Sequence, residues 1–360
     1  MNATFWSGKK VLVTGHTGFK GSWLSLWLLK LGARLSGYGL SPASEPALFK
    51  LSGLQASFTQ DEGDIRDEER LRQAVNRCEP EIVFHLAAQP LVRQSYTEPV
   101  GTFATNVMGT VHLLEAIRQC PSVRAAVIVT TDKVYENREW LWGYRENERL
   151  GGKDPYSASK ACAELATRCY AESFLLRRAV SGGHGAAVAT ARAGNIIGGG
   201  DWSEDRLVPD CLRALAGGTA ISLRNPSSVR PWQHVLASLD GYLRLAQRLY
   251  LEENTDMFEA WNFGPSEQDI HSVEEVAKEV SRIWGGGAID SNGHRNPVEY
   301  REANLLQLDS AKARARLGWA PPWDLKASLE KTVEWHRAFL RGDPVKELCL
   351  RQIGEYEQGR

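Results

Sequence analysis

Tyr156 and Lys160 stand four residues apart in DPYSASKACAE, and three glycines, Gly15, Gly18 and Gly21, punctuate VLVTGHTGFKGSWL near the start of the chain. On a helix, a four-residue spacing puts both side chains on one face. A free phenol titrates near ~10, and an ammonium within reach favours its phenolate, so this pair could exchange a proton with a substrate hydroxyl at neutral pH. Alone, the motif is short enough to arise as a plain surface pair. It gains meaning from the glycines, because oxidising an alcohol needs a hydride acceptor beside the base.

The elements around the glycines supply a place for one. VLV within Lys10–Thr14 is apolar without alternation, the pattern of a buried parallel strand, and SWLSLWLLKL after the turn has a helical apolar pattern. Strand, glycine turn and helix together make a dinucleotide fingerprint. Gly15 permits the tight turn, Gly18 lets the backbone approach a pyrophosphate, and Gly21 allows close helix packing. The helix N-terminus offers unpaired N–H groups to the phosphates. An acid about 20 residues further on usually holds the adenosine ribose. Leu35-Ser36-Gly37-Tyr38-Gly39-Leu40 contains none, and no arginine for a 2′-phosphate follows. NAD is the expected coenzyme, with its ribose partner unaccounted for.

Composition narrows the class. The 360 residues can hold two domains, the net charge is −1, and 24% of residues are charged, so no polyanion or nucleic-acid partner is implied. The six cysteines (Cys78, Cys120, Cys162, Cys169, Cys211 and Cys349) include no C-x-x-C. That spacing argues against a disulfide framework and a thiolate metal site, and suits a reducing cytoplasm. Lys9 and Lys10 run into the first strand where a signal peptide would be apolar, and Lys30 interrupts the apolar run after Gly21. No membrane span is expected, and no internal repeat is visible.

Strands and helices then alternate as a doubly wound α/β sheet requires. Arg34–Tyr38, Ile82–Leu86, Ala125–Thr130 and Ala186–Arg192 read as strands; Asp67–Arg77, about Gly101 to Gln119, and the segment carrying Tyr156 read as helices. Ligands of such sheets lie beyond the carboxyl ends of the strands. Polar residues gather there in four clusters: Asp64; His85-Leu86-Ala87-Ala88-Gln89; Thr130-Thr131-Asp132-Lys133; and Arg192-Ala193-Gly194-Asn195. The coenzyme domain is expected over residues 1–195, with a smaller, mainly substrate-binding domain over 196–360. Segments near 235–265, namely Asp240–Leu251 and Phe258–Phe263, are expected to return to the first domain. In the second part, Arg230-Pro231-Trp232-Gln233-His234 is a candidate anion clamp. Glu139–Asn147, with Trp140, Trp142 and Tyr144, reads as a packing or active-site loop. Arg341–Arg360 reads as a charged, solvated helix or tail, and His112 and His336 as structural.

The glycine turn, HLAAQ, TTDKVY, YSASK, ARAGN and RPWQH together resemble the extended short-chain dehydrogenases/reductases that act on nucleotide sugars, from about Lys10 to Trp335. TGHTGFKGSWL, the Gly37-Tyr38 turn leading to Pro46-Ala47-Leu48-Phe49, and ENREWLWGYREN are similar to the 4,6-dehydratase branch that takes CDP-glucose. Relatives acting on dTDP-glucose carry Thr-Asp-Glu where this chain has Thr131-Asp132-Lys133; the CDP-glucose branch shares the lysine.

The resemblance implies a Rossmann fold of the extended short-chain type, NAD as coenzyme, no metal, and catalysis by Thr131, Asp132, Lys133, Tyr156 and Lys160. It implies coenzyme contacts from Gly15, Thr17, Gly18, Phe19, Lys20 and Gly21; from Asp64, Ile65, Leu86, Ala87, Ala88, Asn106 and Thr130; and from Tyr156, Lys160 and Arg192. Contacts to the sugar nucleotide are implied for Gln89, Asn195, Arg206, Val208 and Arg230. Tyr156 would take the C4 hydroxyl proton, Thr131 would hold that hydroxyl, and Lys160 would anchor the nicotinamide ribose. Asp132 would be the acid for loss of the C6 hydroxyl. Lys133 would be the C5 base or an electrostatic support to the enolate, Glu136 or water then serving as base. The product would be CDP-4-keto-6-deoxyglucose, an intermediate of deoxysugar and O-antigen synthesis. A cytoplasmic homodimer, or a dimer of dimers, built on the Gly101–Gln119 and Tyr156 helices is implied as well. The rivals are a 4-epimerase or decarboxylase with the same Tyr-Lys pair, and a non-catalytic dinucleotide-binding protein.

Overall fold

A computed structural model of the chain describes residues 3–175, 185–251, 259–266, 269–291 and 304–359. Its centre is a sheet of seven strands: β1 (Lys10–Thr14), β2 (Arg34–Gly39), β3 (Thr59–Glu62), β4 (Ile82–His85), β5 (Ala125–Val129), β6 (Ala187–Ala193) and, much later in the chain, Ala260–Phe263. Every pairing is parallel, in the order β3-β2-β1-β4-β5-β6 with Ala260–Phe263 beside β6. The order reverses between β1 and β4, which opens a crevice at their carboxyl ends. β1, β4 and β5 are buried on both faces, as their unbroken apolar runs require. β3 was not foreseen as a strand. Its sequence TQDE is polar throughout and only partly buried, so this edge strand carries no apolar signal.

Helix α1 (Phe19–Lys30) is buried at every position from Gly21 to Leu28. A helix apolar all round must be covered all round, and the cover comes from the opposite end of the chain. The last helix, Val345–Gln358, lays Leu348, Cys349, Ile353 and Tyr356 into the core that holds Trp23 and Trp27. Trp27 Nε1 donates to Glu357 Oε1 (2.8 Å), and Lys30 pairs with the same carboxylate. This corrects the reading of Arg341–Arg360 as solvated. The segment's charges lie on one face, while its apolar residues, too few to stand out in composition, form the other.

The remaining helices place the chemistry. Glu68–Cys78 (α2) starts on Asp67, whose side chain accepts from Arg70 N, a regular N-cap. The helix reaching Gln119 (α3, Gly109–Gln119) continues from Pro99–Phe103 through a π-helical turn at Ala104–Met108. Helix α4 (Pro155–Tyr170) starts from Asp154, which accepts from Ser157 N, with Pro155 at its first position. The strands β7 (Asn195–Ile197), β9 (Val229–His234) and β11 (Ile270–Ser272) form a second sheet, and β8 (Ile221–Ser222) pairs with β12 (Ile289–Asp290). A separate core containing Ile197, Leu212, Trp232, Val280 and Leu329 joins this sheet to α5 (Leu207–Ala216), α7 (Val273–Trp284) and α8 (Leu325–Leu340). Between α5 and α7, helix α6 (Val235–Leu251) lies against β5 and β6 of the large sheet, and Ala260–Phe263 (β10) extends that sheet. Phe258 lies outside the described residues.

Replacing Ile353 with alanine should cost about 2–5 kcal/mol of stability, the range for a large-to-small change in a packed core. Replacing Arg351, an exposed residue of the same helix, should cost less than about 1 kcal/mol. Urea unfolding of the two variants checks this; equal midpoints would mean that the helix is only loosely applied.

Candidate active site

The crevice is built first from missing side chains. Gly15 has φ +71°, and a Cβ there would lie 2.6 Å from Ala87 N; a Cβ on Gly21 would lie 2.1 Å from Gly15 O. Both glycines are therefore demanded by the fold itself, because β1, the β4 loop and α1 converge on them. Gly18 differs. Its φ is −76°, and a Cβ on it would have one neighbour within 4 Å, Gly15 O at 3.5 Å. It caps α1, so the N–H groups of Phe19, Lys20 and Gly21 lack intrahelical acceptors. An open cradle faced by three free donors fits a pyrophosphate. Leu86, Ala87 and Ala88 form its opposite wall, fixed by Leu86 N donating to Thr14 O (3.1 Å) and Ala87 N to Thr14 Oγ1 (3.3 Å). Thr17 Oγ1 donates to Leu40 O (2.8 Å) at the adenosine end. There, Asp64 accepts from Arg66 N and Nε, and Ile65 packs beneath Gly109.

The catalytic candidates come together from three elements. β5 stops at Val129, and Thr131 caps a single 3-10 turn, Asp132–Val134, with Lys133 N donating to its Oγ1 (3.4 Å). Thr131 donates to Asp132 Oδ1 (3.0 Å) and also lies within hydrogen-bonding reach of the Tyr156 phenol on α4. Asp132 is buried, and its Oδ2 has no hydrogen-bond partner among the described residues. Burial raises its carboxyl above the usual range, although Lys133, Thr131 and Arg230 oppose the shift. Lys133 is half-buried, and its ammonium makes no ion pair among the described residues.

Tyr156 and Lys160 do not pair as expected. Lys160 Nζ donates to Val129 O at 3.1 Å, at the frayed end of β5, and burial lowers its pKa to about 8. Burial lifts the Tyr156 phenol to about 12, with Asp132 adding to the rise and Thr131 and Arg206 opposing it. A third cation, Lys20 of α1, reaches into the same space, where its Nζ donates to the buried Tyr242 hydroxyl of α6 at 3.0 Å. Burial together with Arg206 and Lys160 lowers Lys20 to about 7, against the pull of Asp132.

Several expected contacts have their side chains committed elsewhere. The Arg192 guanidinium makes a doubly hydrogen-bonded, buried ion pair with Glu164 (3.0 and 2.8 Å) and reaches Tyr135. Thr130 donates to the same Glu164. Asn106, in the π-helical turn, donates to Gln89 O and Ser159 Oγ, and accepts from Gln89 N. The Gln89 amide is itself held by Thr102 and Leu91. The Val208 side chain lies in the second core. These residues shape the crevice, and what they offer a ligand is backbone.

On the substrate side, Arg206 pairs with Asp201 (3.0 Å), Arg230 is buried near Asp132 and donates to Val229 O, and Asn195 opens β7. Trp140, Tyr144 and Tyr135 stack in sequence, so Glu139–Asn147 packs the loop below Arg192 rather than binding bases. His112 Nδ1 meets Ile65 O at 3.1 Å, and His336 packs by Trp284. The sequence reading missed Glu164 and Tyr242. Glu164 had a signal, since it follows Lys160 by one helical turn on the face of Tyr156; Tyr242 had none. Among the described residues no group of histidine, cysteine, aspartate or glutamate could hold a metal ion.

A doubly wound sheet with a glycine cradle and a Tyr-x-x-x-Lys helix defines an extended short-chain dehydrogenase/reductase. Residues 12–332 match the family model described as GDP-mannose 4,6 dehydratase, and the chain belongs to that family. It is 49% identical over 359 residues to the CDP-glucose 4,6-dehydratase of Salmonella typhimurium strain LT2, covering 99% of this chain and 98% of the relative. To a UDP-glucose 4-epimerase of Rhizobium leguminosarum bv. trifolii it is 29% identical, over 92% of this chain and 98% of the other. The solved structure of the Thermus thermophilus UDP-glucose 4-epimerase in complex with NAD superposes with a TM-score of 0.75 at 26% identity, covering 91% of this chain and 98% of that one.

The different surroundings of the glycines give a clear expectation. Gly18→Val should fold, with a thermal midpoint close to the parent's, yet lose NAD binding by calorimetry, because its side chain fills the cradle. Gly21→Ala should instead fold poorly. Retention of parental NAD affinity by the valine variant would make the turn purely structural.

Proposed function

We propose that the protein is an NAD-dependent nucleotide-sugar 4,6-dehydratase that converts CDP-glucose to CDP-4-keto-6-deoxyglucose and water. The observation that carries this reading is Thr131-Asp132-Lys133 set beside Tyr156, with a buried carboxyl that has one oxygen unpartnered. The 49% identity to a CDP-glucose 4,6-dehydratase over nearly the whole chain supports the same substrate. An epimerase needs a base for one alcohol; an acid and a second base next to it serve elimination.

NAD, when bound, would supply the acceptor for the C4 hydride and its donor to C6, held by the glycine cradle and Lys160, while Arg206 and Thr131 favour the phenolate of Tyr156. Tyr156 takes the C4 hydroxyl proton while Thr131 holds that oxygen. The ketone so formed acidifies the C5 proton. Asp132, whose carboxyl burial raises above its usual range, gives its proton to the C6 oxygen, which departs as water. Lys133, acting as the free amine, takes the C5 proton and returns one to C5 when hydride is added at C6. Glu136 is a poorer base, because it is half exposed and paired with Arg149 (3.3 Å) and Arg138 (3.8 Å). Arg206 and Arg230 suit the diphosphate.

We also propose a homodimer packed through the π-bulged helix ending at Gln119 and α4. Val100 (81% exposed), Met108 (47%) and Leu165 (57%) leave apolar surface on these two helices. No helix among the described residues is long and apolar enough to cross a membrane, and a cytoplasmic location accords with the free cysteines.

Turnover of a panel of nucleotide-glucoses, with products identified by mass, tests the reaction. Tyr156→Phe should lower turnover about a hundredfold or more. Asp132→Asn should stop 6-deoxy product while leaving exchange of the C5 hydrogen with deuterated solvent. Lys133→Met should abolish that exchange; a lysine that only steadied the enolate would leave it intact. Parental rates of 6-deoxy product in both the Asp132 and Lys133 variants would refute the mechanism and favour an epimerase.

Lys20 makes NAD binding sensitive to pH. An anion at the α1 N-terminus raises its pKa from about 7, so binding takes up a proton. Affinity should be greatest below that value and fall as pH rises above it. Calorimetry should find a shallower pH dependence in Lys20→Met, and in Lys20→Arg, whose charge persists, affinity held at the upper end of the range.

A further inference from the structure

The acid that ordinarily receives the adenosine ribose at the end of the second strand is absent from β2, and the fold shows what stands in its place. Gly39 occupies the position. A Cβ built on it would point over the glycine turn, 3.3 Å from Gly15 N. Its register partner on β3 is Glu62, so the two residues present one face of the sheet. Ser41, two residues past Gly39, donates from Oγ to Glu62 Oε1 at 2.8 Å and holds the carboxylate against the end of β2. Thr17 Oγ1 ties the glycine turn to the same corner through Leu40 O.

Charge at this corner is uneven. Arg66 and Arg77, the guanidinium groups that flank β3, are bound to Asp64 and Asp61. Glu62 makes no ion pair among the described residues. An uncompensated carboxylate therefore sits one strand over from the expected one, on the face turned toward Gly15. A carboxylate accepts hydrogen bonds from a ribose diol and repels a phosphate placed on it.

We propose that Glu62, delivered by β3 in place of an acid on β2, is the acceptor for the adenosine ribose hydroxyls and the residue that excludes a coenzyme bearing a 2′-phosphate. This rests on the coenzyme reading above. Ser41 acts through Glu62, as a positioning residue.

Calorimetric titration with NADH and with NADPH tests the assignment in the wild-type protein, Glu62→Gln and Ser41→Ala, with thermal unfolding as the control. Glu62 is solvent-exposed, so its replacement leaves the core untouched. The wild type should prefer NADH. Glu62→Gln should weaken NADH about tenfold, the effect of one charged hydrogen bond, and tighten NADPH, so that the preference collapses. Ser41→Ala should lose part of it. An unchanged preference in Glu62→Gln overturns the proposal. So does a wild type that binds both coenzymes equally, which leaves the coenzyme reading standing. A wild type that binds neither refutes that reading and this inference with it.

Discussion

The buried ion pair between Glu164 and Arg192 is the interaction on which the geometry of the site depends. Glu164 lies on the helix of Tyr156 and Lys160, and Arg192 lies near the end of β6. Thr130 and Thr190 complete the carboxylate's partners, and Tyr135, which binds Arg192, also donates to Asn262 on β10. One carboxylate thus fixes the catalytic helix against β5 and β6, and its arginine carries the register on to the outermost strand. Two ions out of water are tolerated because every donor and acceptor around them is matched, and removing one partner would leave the other charge stranded. Tyr156, in the role proposed for it, needs this rigidity, since Thr131 and Asp132 approach it from a short turn with little structure of its own.

Much of this was legible in the residues, and the reasons are physical. Three of the strands that were read, β1, β4 and β5, are buried on both faces, so their apolar runs stand out. β1 coincides with Lys10–Thr14, and β5 ends one residue before the expected Thr130. The glycine turn was legible because steric demand leaves only one residue type at Gly15 and Gly21. What escaped was set by partners distant in sequence. β3 is polar because it is an edge, and the C-terminal helix hides a narrow apolar face among charges. Arg192 looked like a ligand-facing arginine until Glu164 was placed beneath it. A motif records which residues occur near a site, whereas the direction of each side chain depends on tertiary neighbours.

The electrostatics of the crevice follow the same division. Lys20 lies near Lys160 and Arg206, with Asp132 opposing the resulting fall in its pKa, while Glu164 acts on Lys160 and Asp201 pairs with Arg206. The phosphates of a dinucleotide and of a sugar nucleotide suit such a group of cations.

The packing of Val345–Gln358 over Trp23 and Trp27 gives the coenzyme site a remote mechanical support. The helix so covered is the one whose first turn carries the glycine cradle. Local opening of Val345–Gln358 would expose apolar surface on that helix and loosen the cradle from a distance, so a disturbance far away in sequence can register as weaker coenzyme binding.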